Sequence, residues 1–326
     1  MIITRTPLRI SLGGGGTDLP SFYRKHGHGF LIAAAITKYV YIAVNQNFDD
    51  DLLLKYSEVE RAKSIDEVKH PLLRECLRAT DISKRIEISS MADVPAGTGL
   101  GSSGSFAVGL LKALHLYSHR TPSAEYLAEQ ACEIEINRLC EPIGKQDQYI
   151  AAVGGVSTFT FRDDETVEVD RLAMADISRS QLEDNLLLFY TGIKRSASAA
   201  LSTEAQNAID SKKPVENLSD TRAIGYETRD ILLTGDMNAF GRALTNQWNL
   251  KYRRQPSLLH DEINSWIQTG IMAGAQGGKL VGAGGGGFLL FYADRKTDLR
   301  RAMSEIGLPE ISFGVDYEGS CVTTAR

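Results

Sequence analysis

Four glycines and three serines crowd the stretch Pro95-Ala96-Gly97-Thr98-Gly99-Leu100-Gly101-Ser102-Ser103-Gly104-Ser105. Directly after it, Phe106, Leu110, Leu114 and Tyr117 recur at helical spacing, so a glycine loop is expected to feed a helix N-terminus. The first amides of a helix have no internal acceptor, and the helix dipole adds partial positive charge there. Glycines let a ligand come close to the backbone, and serine hydroxyls add hydrogen bonds or a metal contact. The chemistry this favours is phosphate binding, against the plainer reading of a tight connection. Two known phosphate motifs can be excluded. Gly99-x-Gly101-x-x-Gly104 has the spacing of the dinucleotide fingerprint, but that motif needs a strand running straight into the glycines. The expected strand Arg85-Ile86-Glu87-Ile88-Ser89 ends upstream, Pro95 intervenes, and the acid expected near Glu125 falls in an Ala-rich helical run. A P-loop needs Lys-Ser/Thr after its glycines, and no lysine follows Gly101 or Gly104.

Other residues could share this chemistry. Gly13-Gly14-Gly15-Gly16-Thr17-Asp18 ends a strand in glycines, then presents a hydroxyl and a carboxylate suited to sugar hydroxyls. A bulge and turn capped by Asp18 is the other reading. Arg9, four residues before the glycines, could reach the same cleft. Gly144-Lys145-Gln146-Asp147-Gln148-Tyr149 opens a short segment after a helix that carries Glu129, Glu133 and Glu135. Leu186 to Tyr190 is expected as a buried strand that ends at Thr191-Gly192, followed by the cations Lys194 and Arg195. A third glycine cluster closes Lys279-Leu280-Val281-Gly282-Ala283-Gly284-Gly285-Gly286-Gly287.

The elements that must hold these groups are those of an α+β protein. Strands are expected at Ile2 to Arg5 and Leu8 to Leu12, broken by Pro7, then at Lys38 to Val44, Val156 to Phe161, Phe288 to Tyr292 and Ile311 to Asp316. Helices are expected from about Ser64 to Ala79, from Pro122 to Pro142, from about Asn217 to Ala275 with a break at Gly235-Asp236, and from Asp298 to Ile306. No repeat or low-complexity linker is visible, so the two halves are expected to meet near residue 180 with a cleft between them. With 326 residues and 43% hydrophobic content, the chain can bury one large core or two moderate ones. A formal net charge of -5 gives no reason to expect a nucleic-acid partner. No apolar run approaches a membrane span, and the N-terminus lacks a signal peptide's apolar core. Four scattered cysteines without CxxC spacing suggest reduced thiols in a cytoplasmic setting, and no zinc-type pattern occurs.

Taken together, three segments resemble the three signatures of the GHMP kinases: Pro7-Leu8-Arg9-Ile10-Ser11-Leu12-Gly13-Gly14-Gly15-Gly16-Thr17-Asp18, Gly99-Leu100-Gly101-Ser102-Ser103 and Gly282 to Gly287. The resemblance runs in order from near residue 3 to near residue 316. That family includes galactokinase, homoserine kinase, mevalonate kinase and phosphomevalonate kinase. It implies a GHMP kinase fold, with a ribosomal protein S5 domain 2-like domain over residues 1–180 and a ferredoxin-like domain over 181–326. ATP and Mg²⁺ would lie between them. By the resemblance, Pro95, Gly97, Thr98, Gly99, Gly101, Ser102, Ser103, Gly104 and Ser105 wrap the triphosphate. Ser103 contacts the metal with a glutamate twelve residues before the catalytic aspartate, which is Glu135, with Glu133 nearby. Asp147 is the matching aspartate, as base or as electrostatic orienter of the acceptor hydroxyl. Arg9 would favour the charged form of Asp147 or neutralise the transferred phosphoryl group, with Lys145 a second candidate for that task.

The glycine-rich first motif, Gly-Ser-Ser-Gly-Ser in the second, and Tyr190-Thr191-Gly192 look most like the D-glycero-D-manno-heptose 7-phosphate kinases. These phosphorylate an anomeric hydroxyl to give the 1,7-bisphosphate. The implied acceptor-binding residues are Gly14, Gly15, Gly16, Thr17, Asp18, Thr191, Gly192, Arg195, Gly284 and Gly285. Lys194, Lys251, Arg253 and Arg254 are further cations for a distal phosphate. The alternatives are a kinase of an unphosphorylated sugar, like L-fucokinase or galactokinase, or a GHMP-fold protein that binds sugar or nucleotide without turnover. The last would lack a catalytic group, whereas Asp147, Arg9 and the loop serines are present. The expected partners are ATP and a small sugar phosphate, not nucleic acid or membrane, with a homo-oligomer open.

Overall fold

The computed structural model describes residues 1–193, 212–254, 258–282 and 286–325. Lys194, Arg195, Gly284 and Gly285 lie outside the described residues.

In chain order the elements are β1 (Ile2–Gly13), α1 (Pro20–His26), β2 (His28–Gln46), β3 (Leu52–Lys55), β4 (Val59–Ala62), α2 (Pro71–Thr80), β5 (Ile86–Ala92), α3 (Ser102–Tyr117) and α4 (Ala124–Cys132). A π-helical turn, Glu133–Arg138, extends α4. Then come α5 (Gln146–Val153), β6 (Val156–Arg162), β7 (Val167–Arg171), α6 (Asp176–Asn185), β8 (Leu186–Tyr190), α7 (Lys212–Thr234), α8 (Met237–Arg254) and α9 (Leu258–Met272). The last are β9 (Gly277–Leu280), β10 (Phe288–Tyr292), α10 (Lys296–Glu305), β11 (Glu310–Ile311) and β12 (Cys321–Ala325).

The first sheet runs β12-β1-β2-β5-β3-β4, with β6 on β2 and β7 on β6. Its spine is β2, whose stretch Leu31 to Ile36 is fully buried because β1 and β6 pair with it and α3 packs on it. Three consecutive alanines there, Ala33 to Ala35, hide this strand from a period-2 reading, and only its second half was expected. Pro7 does not break β1. The register slips between Pro7 and Leu8, and β12 covers only Ile2 to Arg5, so the missing N–H faces no ladder on that side.

The second sheet runs β11-β8-β10-β9, all antiparallel. Numbered within the unit this is 4-1-3-2, with helices between the first and second strands and between the third and fourth, the split βαβ of a ferredoxin-like fold. The strands divide between β7 and β8, but β12 returns from the chain's end to pair with β1. A unit of residues 181–326 therefore does not keep all its own strands. The larger apolar core joins the sheets: Leu8, Ile32 and Leu110 belong to one cluster with Leu188, Phe240 and Phe288. A smaller cluster, including Trp248, Ile267 and Phe291, lies behind the second sheet.

Two expected boundaries shift. The helix expected from Ser64 starts only at Pro71, with His70 as a side-chain cap and a 3₁₀ turn (Ile65–Glu67) before it. The expected strand Ile311 to Asp316 shortens to Glu310–Ile311, leaving Val315 in a single bridge to Ile36.

Candidate active site

A cavity of about 730 Å³ opens between the loop before α3 and the β9–α8 side of the molecule. Gly97, Gly99 and Gly101 all have positive φ, near +76°, +80° and +78°, the alternating left-handed backbone from which anion-binding nests are built. Gly101 is the N-cap of α3 and no side chain caps the helix, which leaves its first-turn amides for a ligand. Glycine is also required by crowding. A Cβ on Gly101 would lie 3.0 Å from Arg9 Cγ, and one on Gly104 would lie 2.8 Å from Asp147 Cβ. The loop rests directly on the charged pair beneath it.

That pair is bidentate. Arg9 Nε donates to Asp147 Oδ1 at 2.6 Å and its Nη2 donates to Oδ2 at 2.9 Å, while Nη1 donates to the Gly99 carbonyl at 2.6 Å. The Arg9 backbone N–H also bonds Leu100 O at 2.9 Å, so β1 carries both the guanidinium and the loop above it. Arg9 is buried, whereas the Asp147 side chain keeps 26% of its surface open to the cavity. Beside them Asp18 is buried; its carboxylate accepts from Gly16 N at 3.0 Å and Gln146 N at 3.3 Å. Burial, then the charge of Asp147, pushes its carboxyl up to about 6.

The π-helical turn after α4 places a second acid. It buries Glu135 on the cavity wall and leaves Glu133 exposed, bonded to Asn137. Ser103 Oγ donates to Glu135 Oε1 at 2.5 Å and Gln148 Nε2 donates to Oε2 at 2.6 Å. Burial nevertheless lifts the Glu135 carboxyl to about 7, because both partners are neutral. This donor set suits magnesium, which takes one or two protein oxygens and completes its shell with phosphate and water. No group of three or more His, Cys, Asp or Glu side chains capable of holding a metal occurs among the described residues.

The expected site residues divide by position. Gly15, Gly16, Asp18, Gly97, Gly99, Gly101, Ser102, Ser103, Gly104, Glu135, Asp147 and Arg9 line the cavity. Others hold it up from behind. Thr98 Oγ1 donates to Pro95 O at 2.9 Å within the loop, and Ser105 Oγ donates to Pro7 O at 2.7 Å. Thr17 Oγ1 is fully buried against the Gly14 and Phe30 carbonyls, 2.9 Å from each, and a Cβ on Gly14 would strike Phe30 O at 2.2 Å. Thr191 Oγ1 exchanges hydrogen bonds with Gly287 at 3.0 Å, and Gly192 turns the chain at φ +75° off the cavity wall. These six were expected to touch nucleotide or acceptor directly, but the short hydroxyls are spent on backbone groups.

Lys145 departs from expectation outright. Its ammonium bonds the Glu165 carbonyl and carboxylate, 2.9 Å from each, over the face of Tyr23 and away from Asp147. Burial opposes the charge on Glu165, but hydrogen bonds from Arg24, Lys145 and Tyr23 outweigh it and hold that carboxyl at about 2. Lys145 is thus one strut of a separate ion-pair cluster.

Comparison with known proteins gives the family. The model of the GHMP kinases N terminal domain matches residues 67–155, and that of the GHMP kinases C terminal matches residues 228–307. The chain belongs to the GHMP kinases. Among relatives, it is 28% identical to D-glycero-alpha-D-manno-heptose 7-phosphate kinase of Campylobacter jejuni, over 93% of both chains. It is 24% identical to a galactokinase of Pyrococcus furiosus, over 90% of this chain and 89% of the relative. The crystal structure of a D-glycero-D-manno-heptose 1-phosphate kinase from Bacteroides thetaiotaomicron superposes with a TM-score of 0.82, at 24% identity and over 100% of both chains. As a GHMP kinase the protein is a phosphotransferase that takes ATP as co-substrate. No helix among the described residues is long and apolar enough to cross a membrane.

Three polar atoms of this kinase's cavity escaped the sequence reading. Ser11 Oγ, Gln146 Oε1 and Gln148 Oε1 are buried without a hydrogen-bond partner among the described residues, and all three residues line the cavity. Ser11 had a usable signal: two residues from Arg9 on β1, it points to the same side. Lys279 was missed too, because a lysine beginning a glycine motif reads as the edge of a loop. It lies instead inside β9, buried, on the cavity wall.

Proposed function

We propose that the acceptor is D-glycero-D-manno-heptose 7-phosphate and that its anomeric hydroxyl receives the γ-phosphoryl group of ATP, giving the 1,7-bisphosphate. The observation that carries this reading is the cationic side of α8, where Lys251 and Arg254 line the cavity that the phosphate loop also lines. Lys251 Nζ donates to the Gly282 carbonyl, and Arg254 Nη1 donates to Asn217 Oδ1 at 2.7 Å. An acceptor with a phosphate at its far end suits such a wall, and the similarity to the Campylobacter enzyme points the same way. Arg253 is exposed and off the cavity, so it has no part in this wall.

The amides of the phosphate loop and of the uncapped first turn of α3 bind the triphosphate. Ser103 Oγ and Glu135 would hold Mg²⁺, which would supply charge neutralisation at the phosphates when bound. Asp18, Ser11 Oγ and Gln146 Oε1 take the sugar hydroxyls. Asp147 orients the anomeric hydroxyl by accepting its hydrogen bond and receives its proton late. Both Asp147 oxygens already accept from Arg9, which fixes where the carboxylate points, and a loose phosphoryl-transfer transition state needs positioning more than early deprotonation. Arg9 keeps that carboxylate aimed and adds positive charge beneath the transferred group. Nucleotide and acceptor meet where the unit of residues 1–180 faces that of 181–326, with β12 returned to the first.

A coupled ADP-release assay over sugars and sugar phosphates tests the assignment. The 7-phosphorylated heptose is expected to give the highest kcat/KM. A higher value for galactose, fucose or unphosphorylated heptose would replace this reading with that of an unphosphorylated-sugar kinase, and no sugar-dependent turnover would point to a binding protein.

A further inference from the structure

Every residue of β9 is buried, and its two glycines are forced: a Cβ on Gly277 would strike the Gly241 carbonyl at 1.8 Å, and one on Gly278 would strike the Phe291 ring at 2.4 Å. Lys279 is the strand's one polar side chain. Its ammonium can donate three hydrogen bonds, and the described structure uses one, to Gln247 Oε1 at 3.1 Å. Gln247 is a neutral anchor, held in turn by its Nε2 donating to Leu12 O at 2.9 Å. No carboxylate pairs with Lys279 among the described residues, and the charges that bear on it, Lys251 and Arg9, have its own sign. Burial first, then those two cations, pulls its ammonium down to about 7. A buried ammonium without an opposite charge beside it is unfavourable, a cost an apolar residue at this strand position would avoid. A ligand that brings negative charge would offset it.

The position chooses between the two phosphates in reach. Arg9 is committed to Asp147 and Gly99, and the loop amides with Ser103 and Glu135 serve the nucleotide end. The polar partner of Lys279 is on α8, where Gln247, Lys251 and Arg254 recur at helical spacing on one face and all line the cavity. We propose that Lys279 is the specificity-determining cation of the acceptor site, completing with Lys251 and Arg254 a pocket for the acceptor's own phosphate. This rests on the phosphorylated-acceptor reading above.

Steady-state kinetics of Lys279→Met in the full chain test it. Methionine matches the length of the lysine stem and suits a buried strand, so folding is expected to hold; Lys279→Gln serves if it does not. The KM for heptose 7-phosphate is expected to rise about tenfold or more, equivalent to about 1.4 kcal/mol. The KM for ATP and the kcat/KM for unphosphorylated heptose should stay within about twofold. A variant that keeps the wild-type preference for the phosphorylated acceptor overturns the inference, as does an equal rise in the KM for ATP, which would assign Lys279 to the nucleotide. A wild-type enzyme without that preference sinks the acceptor reading itself, and the wild-type profile alone reveals it.

Discussion

The Arg9 guanidinium spends its fork on one carboxylate and its remaining amine on the loop above, so Asp147 and the phosphate loop cannot move independently. Asp147→Asn keeps the shape and removes the charge. It is expected to lower kcat by about 10²–10⁴-fold while ATP affinity stays within about threefold. An equal loss of ATP affinity, measured by calorimetry, would mean the carboxylate serves the nucleotide and not the acceptor. Asp18 makes a different prediction. Its carboxyl titrates at 3.8 when unfolded and at about 6 when folded, so between those values the folded chain holds a proton that the unfolded chain has released. Its contribution to the stability of the ligand-free protein is therefore greatest at low pH and declines as pH rises through that window, by roughly 3 kcal/mol in full. In urea denaturation, the wild type should lose stability relative to Asp18→Asn between pH 4 and pH 7. A constant difference between the two proteins would show that Asp18 is not held protonated by burial.

At the level of elements, much was legible, and what was not has identifiable causes. The helix after the glycine loop, the buried strand β8 and the break at Gly235 follow from periodicity and punctuation, and all are present. The π-helical turn was invisible, since a one-residue widening changes which glutamate faces inward without changing composition. Thr17 of the first motif and Thr191 read as ligands because sequence cannot tell a hydroxyl aimed at a cavity from one tied to a nearby carbonyl. Lys145 failed for a similar reason: its partner Glu165 is remote in sequence. The glycines can be tested as backbone devices. Gly27 and Gly282 have nearly the same φ, +79° and +84°, but a Cβ on Gly27 meets nothing within 4 Å, while one on Gly282 would lie 2.6 Å from the backbone of Gly99. Gly27→Ala should cost about 1–2 kcal/mol from conformation alone and leave kinetics untouched. Gly282→Ala should cost about 1–3 kcal/mol more and raise the KM for ATP, because Gly99 must shift. Equal thermal shifts with unchanged kinetics in both variants would show that the second sheet does not position the phosphate loop.

Across the whole molecule, the cleft is held by a core that neither sheet owns. Leu186, Leu188, Phe240, Phe288 and Leu290 pack in one cluster with Leu8, Ile32 and Leu110. The last strand closes the first sheet, with Thr6 Oγ1 and Ser320 Oγ 2.9 Å apart beside it and Arg5 paired with Glu318. A chain of this size could have unfolded in two steps, sheet by sheet. The common core predicts one. Residues 1–180 expressed alone would expose the apolar face that β8, β10 and α8 cover and would leave β1 an open edge, an invitation to intermolecular pairing. In urea, the intact enzyme is expected to lose fluorescence and circular dichroism together in a single transition, and the 1–180 fragment to aggregate or unfold without a sigmoidal transition. A fragment that melts cooperatively near the intact midpoint would mean that the shared cluster adds little, and that the two halves grip the nucleotide as independent bodies.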